Sequence, residues 1–154
     1  MLTQEQQAAN YATIRHIERV RNLINKFVKN LLDRGEAHDQ SKMESPEVEL
    51  FTEFTPKLAG TTFNSPEDIE NKKKLGVALL HHYARNDHHP EHHKNGVDDM
   101  TLMSITEMLL DWKASSERQN DGNILKSIQT NCERYGMSPQ LIRIFENTAK
   151  ELFR

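Results

Sequence analysis

Apolar residues return every three or four positions along most of this chain, and that period decides what it can fold into. Between Thr3 and Gly35 the sequence places Ile17, Val20, Ile24, Phe27, Val28 and Leu31 at helical spacing, so they line one face of an α-helix. Thr3 with Gln6 three residues on makes a capping-box start, and Gly35 is the expected stop. Ser45-Pro46, Ser65-Pro66 and Ser138-Pro139 mark three further starts, because serine accepts hydrogen bonds from free helix N–H groups and proline suits the first helical position. No alternating run of β-branched and aromatic residues is long enough to define a strand. The chain therefore reads as all-α, with helices at about 4–34, 46–57, 66–86, 100–118, 122–134 and 139–152 and a helical turn around His38. The irregular stretches 55–64, with Gly60, and 87–99, with Gly96, are placed to line or cover a site.

The 154 residues suit a single domain spanning 1–154. Cys132 is the only cysteine, which excludes an intrachain disulfide and a cysteine-based zinc site and fits a reducing, cytoplasmic setting. No apolar run approaches the roughly 20 residues of a membrane helix, and MLTQEQQAAN lacks the basic-then-apolar order of a signal peptide. A soluble, non-exported protein is expected. A net charge of -3 argues against general nucleic-acid binding, and leaves room for a small anionic ligand at a local positive site.

Eight histidines are the unusual part of the composition, six of them between His81 and His93. His16 shares a stripe with Val20, Leu23 and Phe27, which predicts a ring facing the core; alone, it reads as a buried histidine bonded to a neighbour. His38-Asp39 offers a nitrogen and an oxygen donor, and the carboxylate has a second oxygen with which to bridge two metals. The same dipeptide is also an ordinary helix cap. Lys42 follows Asp39 by about one turn and can face an anionic substrate. His82 follows Leu75 and Leu79 on an apolar stripe, which favours it slightly over His81 as the inward residue. His88 and His89 precede Pro90, where a helix ends and the chain can turn back. One ring from each doublet would make a two-histidine metal site; the alternative is a solvated histidine cluster. His92 and His93 read as surface residues. Asp111 sits between Leu110 and Trp112, at the edge of the stripe of Leu102, Ile105, Met108, Leu109 and Trp112, where a carboxylate needs a salt bridge, a hydrogen bond or a metal. Glu107, one turn earlier, can orient a ligand or accept a proton.

The order His16, His38-Asp39 with Lys42, the His81-His82 doublet, His88-His89-Pro90 and then Asp111 resembles the H…HD…D pattern of the HD-domain metal-dependent phosphohydrolase superfamily, over about two-thirds of the chain. HDQSK, HHYARNDHHPEHH and MLLDWKASSER look like a phage-associated HD-like family of unknown function. The resemblance implies a compact HD-type bundle of about six helices, in a host cytoplasm if phage-encoded. It implies a first metal on His16, His38, Asp39 and Asp111. It also implies that Asp39 bridges to a second metal, held by His82 or His81 and by His88 or His89. Lys42 matches the phosphate-contacting lysine of HD-x-G-K variants, with Ser41 in place of the glycine.

Nitrogen and oxygen donors suit one or two divalent transition metals, Mn, Fe, Co, Ni or Zn, better than Mg. Metal-activated water points to hydrolysis of a phosphate ester or anhydride, and the resemblance implies a small nucleotide as the substrate, with Asp39, Lys42 and Glu107 as the expected catalytic set. Arg85 and Arg118 are candidates to bind a second phosphate or a carboxylate, or are surface arginines. Tyr83, Phe51, Phe63 or Trp112 could stack on a base, with core packing the default for Phe51 and Trp112. The alternatives are an HD-type di-iron oxygenase and a non-catalytic nucleotide-binding regulatory protein. A homodimer is expected, and no membrane partner.

Overall fold

A computed structural model describes residues 2–59, 65–118 and 122–153. Among them the chain is all-α, as its periodicity predicts. The helices are α1 (Gln4–Ala37), α2 (Glu47–Ala59), α3 (Pro66–Lys74), α4 (Gly76–Arg85), α5 (Leu102–Ser116), α6 (Ile124–Arg134) and α7 (Pro139–Leu152). Short 3-10 turns occupy Gln40–Met43, Pro90–His92 and Gly96–Asp99. No helix among the described residues is long and apolar enough to cross a membrane. The chain divides into two compact units, Met1–Ala37 and His38–Arg154.

The first unit is α1. Its capping box forms as read, with the Thr3 N–H donating to Gln6 Oε1 at 2.9 Å and the Gln6 N–H to Thr3 Oγ1 at 3.2 Å. Gly35 does not stop the helix, which runs through it to Ala37. The left-handed turn comes at Asp39, with φ 56°, because glycine permits that conformation without imposing it and aspartate tolerates it better than most residues. The stripe is helical but has no buried residue. Ile17 is 50% and Ile24 56% exposed, and His16 is exposed beside them. The expectation that His16 faces a core is not met within this unit, since one helix supplies no second layer to bury it.

The second unit has two apolar clusters. The larger joins Met108, Leu109 and Trp112 of α5, Ile128 and Cys132 of α6, Met137, and Phe145 and Ala149 of α7. Trp112 meets Phe145 edge to face at 5.8 Å, so it packs the core, the default for its helical position. The smaller joins Phe54 of α2 to Leu75 and Ala78, with Phe51 packed against it. Caps fix where α5 to α7 begin: Thr101 accepts from the Ser104 N–H, Asn123 from the Leu125 and Lys126 N–H groups, and Ser138 from the Leu141 N–H. α2 begins at Glu47, one residue past Pro46. The single helix expected over 66–86 is two, broken at Leu75. That residue turns into the small cluster at 1% exposure and precedes Gly76, a poor helix former.

Candidate metal centre

The site lies within the second unit. His38 and Asp39 lead into the 3-10 turn Gln40–Met43. His82 sits in the last turn of α4 and is 2% exposed. His88 and His89 follow the end of α4, and His89 takes the extended conformation (φ −95°, ψ 131°) that the residue before Pro90 favours. Glu107 and Asp111 stand one turn apart on α5.

These elements aim imidazole Nε2 atoms at one carboxylate. His82 Nε2 lies 3.3 Å and His88 Nε2 3.5 Å from Asp39 Oδ1, and His38 Nε2 lies 3.4 Å from Asp39 Oδ2. His89 Nε2 lies 2.9 Å from His82 Nε2, and Asp111 Oδ1 lies 3.8 Å from His38 Nε2. Two donor groups result, Asp39 with His82, His88 and His89, and His38 with Asp39 and Asp111. Asp39 belongs to both. Donors about 2.1 Å from one ion lie roughly 3–3.4 Å apart at octahedral or tetrahedral angles, close to the spacings here. Asp39 Oδ1 and His88 Nε2 are buried without a hydrogen-bond partner. Buried polar atoms are rarely left so, and a cation between them would satisfy both. The residues present therefore could hold a metal ion.

The far sides of the rings are tied down. His38 Nδ1 and His88 Nδ1 donate to Glu107 Oε1 at 2.8 and 3.0 Å, and His82 Nδ1 donates to Glu47 Oε2 at 2.9 Å. A carboxylate only accepts, so each Nδ1 carries the hydrogen and each Nε2 is the atom left for the centre. His38, His88 and Glu107 also form a close group, which these distances explain as hydrogen bonds.

Charge follows the same arrangement. The carboxylates of Asp111, 3.8 Å away, and of Glu107, hydrogen-bonded at 2.8 Å, raise His38 from the ordinary 6.5 to about 10, against burial. Burial pushes His89 down to about 3, with His88 and His82 adding to the effect, and burial also lowers His82. Burial alone would raise the Asp39 and Asp111 carboxyls, but Lys42 and His38 outweigh it at Asp39, as His38 does at Asp111, and both end below the usual range. Lys42 Nζ donates to Asp39 Oδ2 at 2.5 Å and lies 5.4 Å from the Phe51 ring centroid.

The structure thus gathers His38, Asp39, Lys42, His82, His88, His89, Glu107 and Asp111. Both members of the second doublet belong to the centre. His81 does not: its Nδ1 donates to Glu47 Oε1 at 2.6 Å, since the residue one position from His82 on a helix points about 100° away. His16 is exposed on α1 and outside both donor groups. His92 and His93 donate to the carbonyls of Tyr83 and Asp87. Arg85 turns to Glu44 at 3.5 Å on the surface, and Arg118 is exposed beyond the end of α5. Tyr83 and Phe51 border the centre, with ring centroids 5.0 Å from His89 and 6.0 Å from His82; Phe63 lies outside the described residues. Sequence reasoning missed Glu47, Ser41 and Asn86, which are buried around His82. The one available signal was polar residues where α2 and α4 have apolar neighbours.

Residues 5–151 match the model of a family described as a family of unknown function, DUF5662. No curated protein and no solved structure matches the chain.

Proposed function

We propose that this chain, which belongs to the DUF5662 family, is a metal-dependent phosphohydrolase acting on a phosphate ester or anhydride of a small nucleotide, in the manner of the HD-domain superfamily it resembles. His38, Asp39 and Asp111 would hold one divalent transition metal and Asp39, His82, His88 and His89 a second. Bound there, the metals supply a water of lowered pKa and positive charge opposite the phosphoryl oxygens.

The observation that carries this reading is Asp39. One carboxylate is shared by two donor groups and has an orphaned oxygen on the histidine side. Its other oxygen meets Lys42. The ammonium at that rim supports phosphate as the ligand over oxygen chemistry, because it supplies a fixed positive charge for a phosphoryl oxygen. Glu107 holds His38 and His88 in the orientation a metal needs. Phe51 and Tyr83 offer ring faces to a base.

Metal analysis with a phosphate-release panel on wild type and Asp39→Ala tests the reading. The expected result is bound transition metal and release of phosphate from at least one nucleotide, with activity lost by more than about 10²-fold in Asp39→Ala, the scale of losing one charge-stabilising group. Full activity without the Asp39 carboxylate refutes it. Oxygen uptake with a mixed-valent di-iron signal would move the assignment to an oxygenase, and tight nucleotide binding without phosphate release to a regulatory protein.

A further inference from the structure

Glu47 opens α2 and is fully buried. A carboxylate in that position is costly unless its oxygens are bonded. Its ion-pair partners among the described residues are two imidazoles: Oε1 accepts from His81 Nδ1 at 2.6 Å and Oε2 from His82 Nδ1 at 2.9 Å. The Ser41 hydroxyl also donates to Oε2 at 3.1 Å. Asn86 closes the cluster, its Nδ2 donating to Ser41 Oγ and to the His82 carbonyl, each at 2.8 Å. The three partners of Glu47 lie on other elements than α2, and no metal donor group among the described residues includes Glu47.

We propose that Glu47 is a positioning residue that fixes the tautomer and ring plane of His82, and so sets metal affinity in the His82, His88 and His89 half of the centre alone. This rests on the two-metal reading above. The other half is oriented from α5: His38 Nδ1 donates to Glu107 and His38 Nε2 faces Asp111, and among the described residues no hydrogen bond or ion pair joins either to Glu47. The division follows from hydrogen-bond capacity. Two imidazoles each donating Nδ1–H require two acceptor oxygens, which a carboxylate has. A glutamine has one acceptor and one donor end, so it can serve one ring in the native tautomer and not both. An alanine serves neither, and leaves His82 free to rotate or to move its hydrogen to Nε2, the atom that faces Asp39.

Cobalt(II) titration of the full chain, followed by the visible absorption of the bound ion, tests this on wild type, Glu47→Gln and Glu47→Ala. The wild type is expected to bind two ions. In Glu47→Ala one is weakened by about 10- to 100-fold and the other keeps its affinity, and Glu47→Gln falls between. A general loss of structure would weaken both. Retention of both at wild-type affinity, or equal loss of both, overturns the proposal while leaving the two-metal reading intact. A wild type that binds one ion or none overturns both. Should the variants fail to fold by circular dichroism, nitrogen-15 NMR of the imidazoles in metal-free wild type at pH 8 decides: His82 is expected as the neutral Nδ1–H tautomer, and an Nε2–H or doubly protonated ring overturns the assignment.

Discussion

His38 links the acidity of the centre to the stability of the fold. In the folded, metal-free protein its ring keeps a proton up to about pH 10, because the Asp111 carboxylate faces it and Glu107 accepts from it, whereas the unfolded ring loses it near 6.5. The folded state therefore binds more protons between those values. The stabilisation from His38 is complete below pH 6.5 and is lost as pH rises toward 10. His82 and His89 are lowered, so near pH 6.5, where their unfolded rings are still half protonated, they oppose this trend, and their contribution is nearly complete by about pH 7.5. Burial raises Cys132 from 9.0 to about 11, which adds to the fall only above about pH 8. Asp39 and Asp111 are lowered, so theirs is present throughout and fails only in acid. The urea midpoint of chelator-treated protein should fall from about pH 7.5 to 8.5, and His38→Gln should flatten that slope; a level or rising wild-type midpoint across that window contradicts the assignment. Lys42 answers to a different measurement. If the proposed phosphohydrolase reading holds, Lys42→Ala should retain metal and lose about 10²-fold in kcat/KM for phosphate release, and unchanged kinetics would remove its proposed phosphate role. His38, Asp39 and Asp111 were legible because their order along the chain is a pattern. Glu47 was not: an acid in the first turn of a helix already has a local reason to be there, and the imidazoles that explain its burial lie 34 and 35 residues away.

At the scale of elements, what is local was readable and what depends on packing was not. The starts at Thr3 and Ser138 are side chains bonding N–H groups three residues on, so three or four letters contain the whole cause. The end of α1 and the break between α3 and α4 depend on what the chain meets next. Gly35 stays helical, while Gly136 takes φ 61° past the end of α6, and both look alike in sequence. The difference is testable by substitution. A Cβ at Gly76 would meet nothing within 4 Å, and its φ is outside the left-handed region. Gly76→Ala should therefore stabilise the protein by about 0.4–1 kcal/mol by restricting the unfolded chain. Gly136→Ala, equally open but left-handed, should destabilise by about 1–2 kcal/mol. Chemical denaturation of the pair reads both signs, and equal shifts would show that backbone conformation does not control these positions.

Within the second unit the centre draws on helices from both apolar clusters. α5 gives Met108, Leu109 and Trp112 to the larger one and turns Glu107 and Asp111 to the histidines. α4 gives Ala78 to the smaller one and presents His82. Neither cluster was separable from the other in the sequence, where both are apolar positions at one helical period. The centre holds Asp39 Oδ1 and His88 Nε2 without partners, each costing about 1–3 kcal/mol while it stays unsatisfied. That cost falls on the segments that carry these atoms and leaves the packing of α6 against α7 untouched, so local opening in the metal-free protein should begin around the centre. A divalent ion reverses the cost and, at a free concentration of 100 Kd, adds about 2.7 kcal/mol to any opening that releases it. Hydrogen exchange with and without metal should then slow by about 100-fold across 38–43 and 82–89, while amides of α6 and α7 that exchange by their own local openings keep their rates. A uniform gain along the second unit would mean that its two clusters open together. No gain at 38–43 would mean that the gathered histidines bind no ion, because a ligand that stabilises a structure must protect the segments that hold it.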